Sequence, residues 1–241
     1  MKKLKMKNNL LKISIFSLLF ICCFAKTNAQ GNLPYVDDKI IRFGFALGMN
    51  TMNFRITESL IEIDGKVYNA KVSSLKPGFS VGVTTDLRLH DYWNLRFVPM
   101  LHFGERRITY RAIDEQETLT TSIASIPITI PIYLKYSALR AGNFRPYLIA
   151  GGGALIDVGR DFEKPVLLKP FDYFVEFGMG FDIYFSFFKL SPELKFALGF
   201  NDMFTPLDAR NSGFVSESDK KYSNALSKLT SRMLTLTFNF E

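Results

Sequence analysis

The sequence predicts an all-β protein: an eight-stranded antiparallel transmembrane β-barrel of the outer-membrane type, preceded by a signal peptide. Three observations carry this expectation. Apolar and polar residues alternate over stretch after stretch beyond residue 40. Short and long connectors take turns between those stretches. The aromatic share is high, at 15%, and many rings fall near the ends of the stretches. A strand sends successive side chains to opposite faces, so strict alternation marks one apolar face and one polar face. A tilted bilayer crossing needs about 9–11 such residues. A barrel made of them is apolar outside and polar inside.

The first 29 residues stand apart. Lys2, Lys3, Lys5, Lys7 and Lys12 precede an apolar run at 13–24, and small residues around Thr27 and Ala29 lead to a cut before Gln30. This reads as a secretory signal peptide, and the run is too short to span a membrane comfortably. Cys22 and Cys23 raise a lipoprotein signal as the rival, but Ile21 stands where a lipoprotein site wants a small residue. The segment holds six of the 30 basic residues and none of the 23 acidic ones, leaving 24 basic against 23 acidic residues, a net charge of +1. The basic balance of the whole chain therefore belongs to targeting and argues nothing for nucleic acid. Both cysteines leave with the signal, which excludes disulfides and thiol chemistry from the mature chain. The expected organisation is a signal peptide at 1–29, a periplasmic lead-in at 30–40 and the barrel at 41–241.

The first strand is expected at about 41–54, with Phe43, Phe45, Leu47 and Met49 outward and Arg42, Gly44, Ala46, Gly48 and Asn50 inward. The second, at 77–89, sets Phe79, Val81, Val83, Leu87 and Leu89 against Ser80, Gly82, Thr84, Asp86 and Arg88. The third covers about 95–110. The fourth runs from Ile126 to Ser137, with Ile126, Ile128, Ile130, Ile132, Leu134 and Tyr136 on one parity and Pro127, Thr129, Pro131, Tyr133 and Lys135 on the other. The fifth, at 145–158, has no readable parity because 150–154 is all small. The sixth alternates Val175, Phe177, Met179, Phe181, Ile183 and Phe185 with Glu176, Gly178, Gly180, Asp182 and Tyr184. The seventh sets Leu194, Phe196, Leu198 and Phe200 against Glu193, Lys195, Ala197 and Gly199. The eighth, at about 234–241, sets Leu234, Leu236, Phe238 and Phe240 against Thr235, Thr237, Asn239 and Glu241, an aromatic last strand of the kind barrel-insertion machinery reads.

The links after strands two, four and six are short, and those after one, three, five and seven are longer and more polar; the last spans about 201–230. Short periplasmic turns and long external loops are the outer-membrane pattern. Ala225, Leu226 and Leu229 suit one short helical turn within the last loop, and Lys220 and Lys221 read as a solvated pair. Tyr92, Trp93, Tyr110, Tyr136, Tyr147 and Tyr173 lie near strand ends, where amphipathic rings favour the membrane interface. Pro99, Pro127, Pro131 and Pro192 cannot donate to a ladder, so strand ends or bulges are expected for them.

The inward parity collects Arg42, Asp86, Arg88, Arg96, His102, Arg106, Lys135, Glu176, Asp182, Glu193 and Lys195. An eight-stranded barrel is just wide enough to be filled by side chains, so these are expected to form an ion-paired interior plug, crowded toward the periplasmic end. The rivals are a conducting pore and an enzyme. An enzyme would have to use His90, in a turn beside Asp91, or His102, which points inward with no serine or carboxylate at a useful spacing on its own strand. Gly151, Gly152 and Gly153 lack the following helix that a phosphate loop needs and read as a crowded strand. No metal-ligand cluster is present in the sequence, and no catalytic residue, cofactor or small-molecule substrate is expected.

The residues also carry a resemblance. Asn32-Leu33-Pro34 and Asp38-Lys39 are followed by Arg42-Phe43-Gly44-Phe45 and Leu47-Gly48-Met49-Asn50. Then come Leu95-Arg96-Phe97 with Pro99, Phe103-Gly104-Glu105-Arg106, Ile126-Pro127 and Leu134-Lys135-Tyr136. Asn143-Phe144-Arg145-Pro146-Tyr147, Ala150-Gly151-Gly152 and the set Glu176, Gly178, Gly180 and Asp182 follow. Phe188-Lys189-Leu190-Ser191-Pro192-Glu193, then Leu229, Ser231-Arg232 and Phe238-Asn239-Phe240-Glu241 complete the series. In order and spacing these blocks resemble the PorT/SprT family of the type IX secretion and gliding-motility system of Bacteroidetes, across essentially the whole mature chain. The resemblance implies a non-enzymatic outer-membrane barrel needed for export of cargo to the cell surface. Its expected contacts are outer-membrane lipid and other secretion components. It implies no catalytic residues. A general surface, adhesion or envelope-integrity barrel and a small-solute pore remain as alternatives. The Phe103–Arg106 block and the Ser191-Pro192-Glu193 corner are the segments to test first, against strand-end packing and turn formation.

Overall fold

The computed structural model describes residues 32–59, 62–63, 66–72, 76–112, 118–159, 166–206, 209 and 226–241. Residues 1–31, where the signal peptide and the first residues of the lead-in are expected, lie outside the described residues, as do Lys220 and Lys221. Eight antiparallel strands follow one another round a ring. β1 is Ile41–Glu58 and β2 is Pro77–Arg88. β3 comprises Trp93–Phe97 and Met100–Ala112, broken at Val98 and Pro99. β4 comprises Thr118–Ser125 and Pro127–Ser137, broken at Ile126. β5 is Phe144–Asp157, β6 Phe171–Tyr184, β7 Lys189–Gly199 and β8 Leu226–Phe240. Each strand pairs with the next. β1 pairs with β2, Ile41 opposite Leu87, and also with β8, Phe45 opposite Phe240. The eight strands therefore close into a ring. Beyond it, the link after β1 is not all loop: Glu62–Ile63 pairs with Lys66–Val72, which adds onto the far end of β3, Tyr68 opposite Ala112.

The alternation read from the sequence sets the faces. Phe43, Phe45, Met49, Phe79, Ile132, Phe177, Met179 and Leu194 are exposed on the outside, while Arg42, Asn50, Asp86, Lys135, Glu193 and Asn239 are buried inside. β5 resolves where its sequence did not: Tyr147, Ile149, Leu155 and Asp157 point inward and Leu148 outward. Of the six interfacial aromatics expected, Trp93, Tyr136 and Tyr173 are exposed, whereas Tyr110 and Tyr147 are buried inside because they sit on the inward parity.

Four expectations need correcting. Pro131 and Pro192 lie inside strands rather than at ends or bulges. Pro131 stands opposite Gly153, where a side chain would collide with its backbone, so the glycine makes room for the proline. Pro192 interrupts the β6–β7 register between Gly180 and Ile183. Ser191-Pro192-Glu193 is accordingly strand, not a turn. Leu226 and Leu229 belong to β8, not to a helical turn; β8 starts well before residue 234 because its inward residues pack on the interior (Ala225 lies outside the described residues). The link after the third strand is only 113–117, because β3 and β4 continue as a long hairpin, Gly104 opposite Ser125.

The strands outrun the bilayer-facing band, and their faces exchange character where they do. On β1 the inward residues turn from Asn50 to Met52 and Phe54, and the outward ones from Met49 to Asn53 and Arg55. On β8 the inward residues run from Asn239, Thr237 and Thr235 to Met233 and Leu229. The interior thus has two zones. The half toward the short turns (89–92, 138–143, 185–188) is polar. The half toward the long loops is an apolar cluster including Met52, Phe54, Ile108, Ile123, Leu155, Phe174 and Leu229. Two loops close that half: Leu167–Leu168 pairs with Phe204–Thr205, and Leu168, Met203 and Phe204 join the cluster. Burying one such side chain stabilises by about 1.5–3 kcal/mol.

Candidate functional site

The polar zone begins with register. Arg42 lies opposite Asp86 across β1–β2, Asp86 opposite Arg96 across β2–β3, and Arg96 opposite Tyr133 across β3–β4. All four are inward, so one row of the sheet places cation, anion, cation and phenol side by side. Asp86 accepts from Arg42 Nη2 at 2.6 Å, from Arg96 Nε at 2.9 Å and from Asn94 Nδ2. Arg96 then crosses the lumen. It donates to Glu193 on β7 and to Glu241, just past β8, at 2.8 Å. Glu241 also faces Lys189 Nζ at 2.6 Å and Arg42 Nε at 3.5 Å. Tyr147 donates its hydroxyl to Glu193 at 2.7 Å, and Tyr133 donates to Glu176. Lys135 reaches both oxygens of Asp182, at 3.0 and 2.8 Å, and Ser191 donates to the same carboxylate at 2.6 Å. Lys195 Nζ lies 3.6 Å from Glu193. Five cations (Arg42, Arg96, Lys135, Lys189, Lys195) and five carboxylates (Asp86, Glu176, Asp182, Glu193, Glu241) balance in one buried cluster. Charges taken from water need partners of this kind, and removing one partner costs about 3–5 kcal/mol.

Above this cluster His102 bridges three strands. Its Nδ1 lies 2.8 Å from Ser80 Oγ and its Nε2 3.0 Å from Thr129 Oγ1, while Asn50 Nδ2 donates to Ser80 Oγ at 2.7 Å. Every bond is satisfied if Ser80 donates to Nδ1 and the ring proton sits on Nε2. Ser80 and His102 are 0% and 2% exposed, so no substrate can reach the pair as it stands.

Arg106 lies in the apolar zone. Its guanidinium sits over the Phe54 ring at 4.4 Å and Nη2 is 3.8 Å from Met52 Sδ. Nε and Nη1 have no hydrogen-bond partner. The carboxylates of this half are held by other donors: Asp157 by Ser125 Oγ at 2.5 Å and Ile126 N at 3.2 Å, Asp172 by Asn201 N at 2.9 Å. An interior void of 10 Å³ beside Asp172, Gly199 and Ser231 has room for about one water at most. On the outer wall, Ala138, Pro146 and Pro192 lie low among larger neighbours and leave an apolar groove of 660 Å³.

The short-turn mouth is crossed by the lead-in. Asn32 N donates to Asn143 Oδ1 at 2.7 Å, and Asn32 Nδ2 to the Tyr184 carbonyl at 3.1 Å. Arg140 donates to the carbonyls of Asn32 and Leu33, and its guanidinium stacks 3.6 Å from the Tyr184 ring centre. Tyr184 donates its hydroxyl to the Asp37 carboxylate at 2.9 Å. Arg140 and Arg145 approach that carboxylate at 3.6 and 3.7 Å.

Of the residues singled out from the sequence, Arg42, Asp86, Arg96, Lys135, Glu176, Asp182, Glu193 and Lys195 meet in the polar cluster. His102 lies above it, and Arg106 lies apart in the apolar zone. Arg88 is corrected: it stands on the rim, its side chain 29% exposed, paired with Asp38 at 3.3 Å and Asp91 at 2.6 Å. The strand ends there, and its side chain reaches water instead of the lumen. Asn94, Tyr133, Tyr147, Lys189, Ser191 and Glu241 belong to the cluster but were not singled out. Inward parity was the available signal for Tyr133 and Glu241; Lys189 fell in the assumed turn. Among the described residues, no group of three or more histidine, cysteine or carboxylate side chains is placed to hold a metal ion.

Residues 28–205 match the family described as "Outer membrane protein beta-barrel domain". No curated protein matches the chain. Among solved structures it is similar to the outer membrane protein OprG from Pseudomonas aeruginosa, at 15% identity, covering 88% of this chain and 97% of that one, with a TM-score of 0.48. It is also similar to Neisserial surface protein A, NspA (12% identity, 83% and 98% covered, TM-score 0.40). The outer membrane protein AlkL, solved in lipid bilayers, gives 10% identity, 90% and 94% covered and a TM-score of 0.40. With its closed ring of outward-apolar strands and a match over most of its length, the chain belongs to the outer membrane protein beta-barrel domain family and resides in the outer membrane.

Proposed function

We propose that this barrel is a non-enzymatic component of the type IX protein secretion and gliding-motility machinery, needed to deliver cargo proteins to the cell surface. The observation that supports this reading is the filled interior. Ten balanced charges pack one half and an apolar cluster with two inserted loops packs the other. A barrel filled in this way has its rims and loops available for contacts, and it serves as a membrane-fixed docking piece for other secretion components. The sequence blocks that resemble the PorT/SprT family add to it. Several of their residues, Arg42, Arg96, Lys135, Glu176, Asp182, Lys189, Glu193 and Glu241, make up the buried cluster. The Ser80–His102 pair is sealed, so it is read as packing and not as a catalytic dyad.

Deleting the gene and following cargo tests the role. The expected result is cargo retained inside the outer membrane and loss of surface gliding, both restored by the wild-type gene. Normal cargo export in the deletion strain overturns the proposal and leaves the general surface-barrel alternative.

A further inference from the structure

The lead-in crosses the short-turn mouth as a strap. None of its residues from Asn32 to Ile40 is buried. Leu33 has φ +49°, a left-handed backbone that a leucine adopts only under strain. Its ion pairs to Arg140 and Arg145 are long and involve partly exposed side chains, and pairs of that kind contribute little. The cradle beneath it also makes bonds of its own. Arg145 donates to the carbonyls of Ala138 and Asp91, at 2.8 and 2.5 Å, and Arg140 to that of Gly142 at 2.8 Å. The 138–143 turn is thus braced from the barrel side, while the strap is held across it by polar bonds alone, with no buried residue of its own.

The cradle also states what it binds. Arg140 takes two successive backbone carbonyls, Asn143 Oδ1 takes a backbone N–H, and Tyr184 with the two arginines takes a carboxylate four to five residues further on. A lipid phosphate would satisfy the arginines but offers Asn143 no N–H. We propose that the cradle of Arg140, Asn143, Arg145 and Tyr184 is a peptide-binding site that the chain occupies with its own strap, and that an acidic segment of a periplasmic partner, turned as the strap is into a bend and one 3-10 turn, takes the strap's place. The site deepens the docking role above and rests on it only for the partner being a secretion component; the exchange itself stands on the geometry.

The test uses the full-length mature protein in detergent micelles and a fluorescent peptide copying residues 32–40, read by anisotropy. Asp37→Asn weakens the strap in cis. Apparent affinity is the intrinsic affinity scaled by the fraction of open sites, so Asp37→Asn should bind the wild-type peptide about fivefold more tightly than the wild-type barrel does. Adding Arg140→Glu to that variant should abolish binding, with heat-modifiable gel mobility confirming an intact barrel. Equal binding by wild type and Asp37→Asn, no binding by Asp37→Asn, or binding that survives Arg140→Glu overturns the proposal. Competition by phosphatidylglycerol or inorganic phosphate as strong as that by unlabelled peptide overturns it too, in favour of an anionic headgroup site. Normal cargo export in the deletion strain would remove the secretion reading and leave these binding results untouched.

Discussion

Arg96 and Arg106 sit on the same strand, both on the inward parity and both fully buried, yet in opposite surroundings. Arg96 reaches three carboxylates, Asp86, Glu193 and Glu241. Arg106 has a ring, a sulfur and two unbonded nitrogens. The difference follows the surroundings of the wall. Where the outer face meets lipid, polar residues have only the lumen to enter, and they arrive in compensating pairs. Where the strands rise beyond the lipid, the outer face takes Asn53, Arg55 and Arg107, and the lumen becomes a mainly apolar core with Arg106, Asp157 and Asp172 buried in it.

That contrast predicts an ordered series of stabilities, measurable by urea unfolding of the barrel in lipid vesicles. Arg96→Met should be the worst, losing about 3–5 kcal/mol, because three buried carboxylates lose a shared partner. Leu229→Ala, at 0% exposure in the apolar zone, should lose about 2–5 kcal/mol through the cavity it leaves. Arg106→Met should leave stability unchanged or raise it by up to about 2 kcal/mol, since the unbonded guanidinium nitrogens go and the methionine packs with Met52 and Phe54. A large loss on Arg106→Met would break the distinction between the halves. Lys76→Ala, which removes a partly exposed pair with Glu105 at 3.1 Å, should change stability by less than about 1 kcal/mol and less still at high salt.

The outward and inward assignments of β1, β2, β4, β6, β7 and β8 were legible because period-2 alternation is forced wherever one face meets lipid and the other does not. β5 was opaque because 150–154 offers no side chain large enough to betray a face. The polar cluster was legible as a set of residues, but its wiring was not. That Arg96 reaches Glu193 and Glu241 depends on tilt and register across the lumen, which no single strand encodes. The apolar zone was missed for a more instructive reason. Met52 and Phe54 follow Asn50 on the same parity, so the pattern stays alternating while its meaning inverts. The switch from Met49 to Asn53 and Arg55 on the outer parity was the available sign that the strand had left the bilayer. The strap was invisible because its partners, Asn143 and Tyr184, lie more than a hundred residues away.

The packed lumen is tested most directly by single-channel recording of the wild-type barrel in planar bilayers. The expected result is a quiet membrane with no discrete conductance steps across the usual voltage range. A steady ohmic current carried by the purified, folded protein would contradict a lumen closed by five ion-paired cations on one side and a side-chain core on the other.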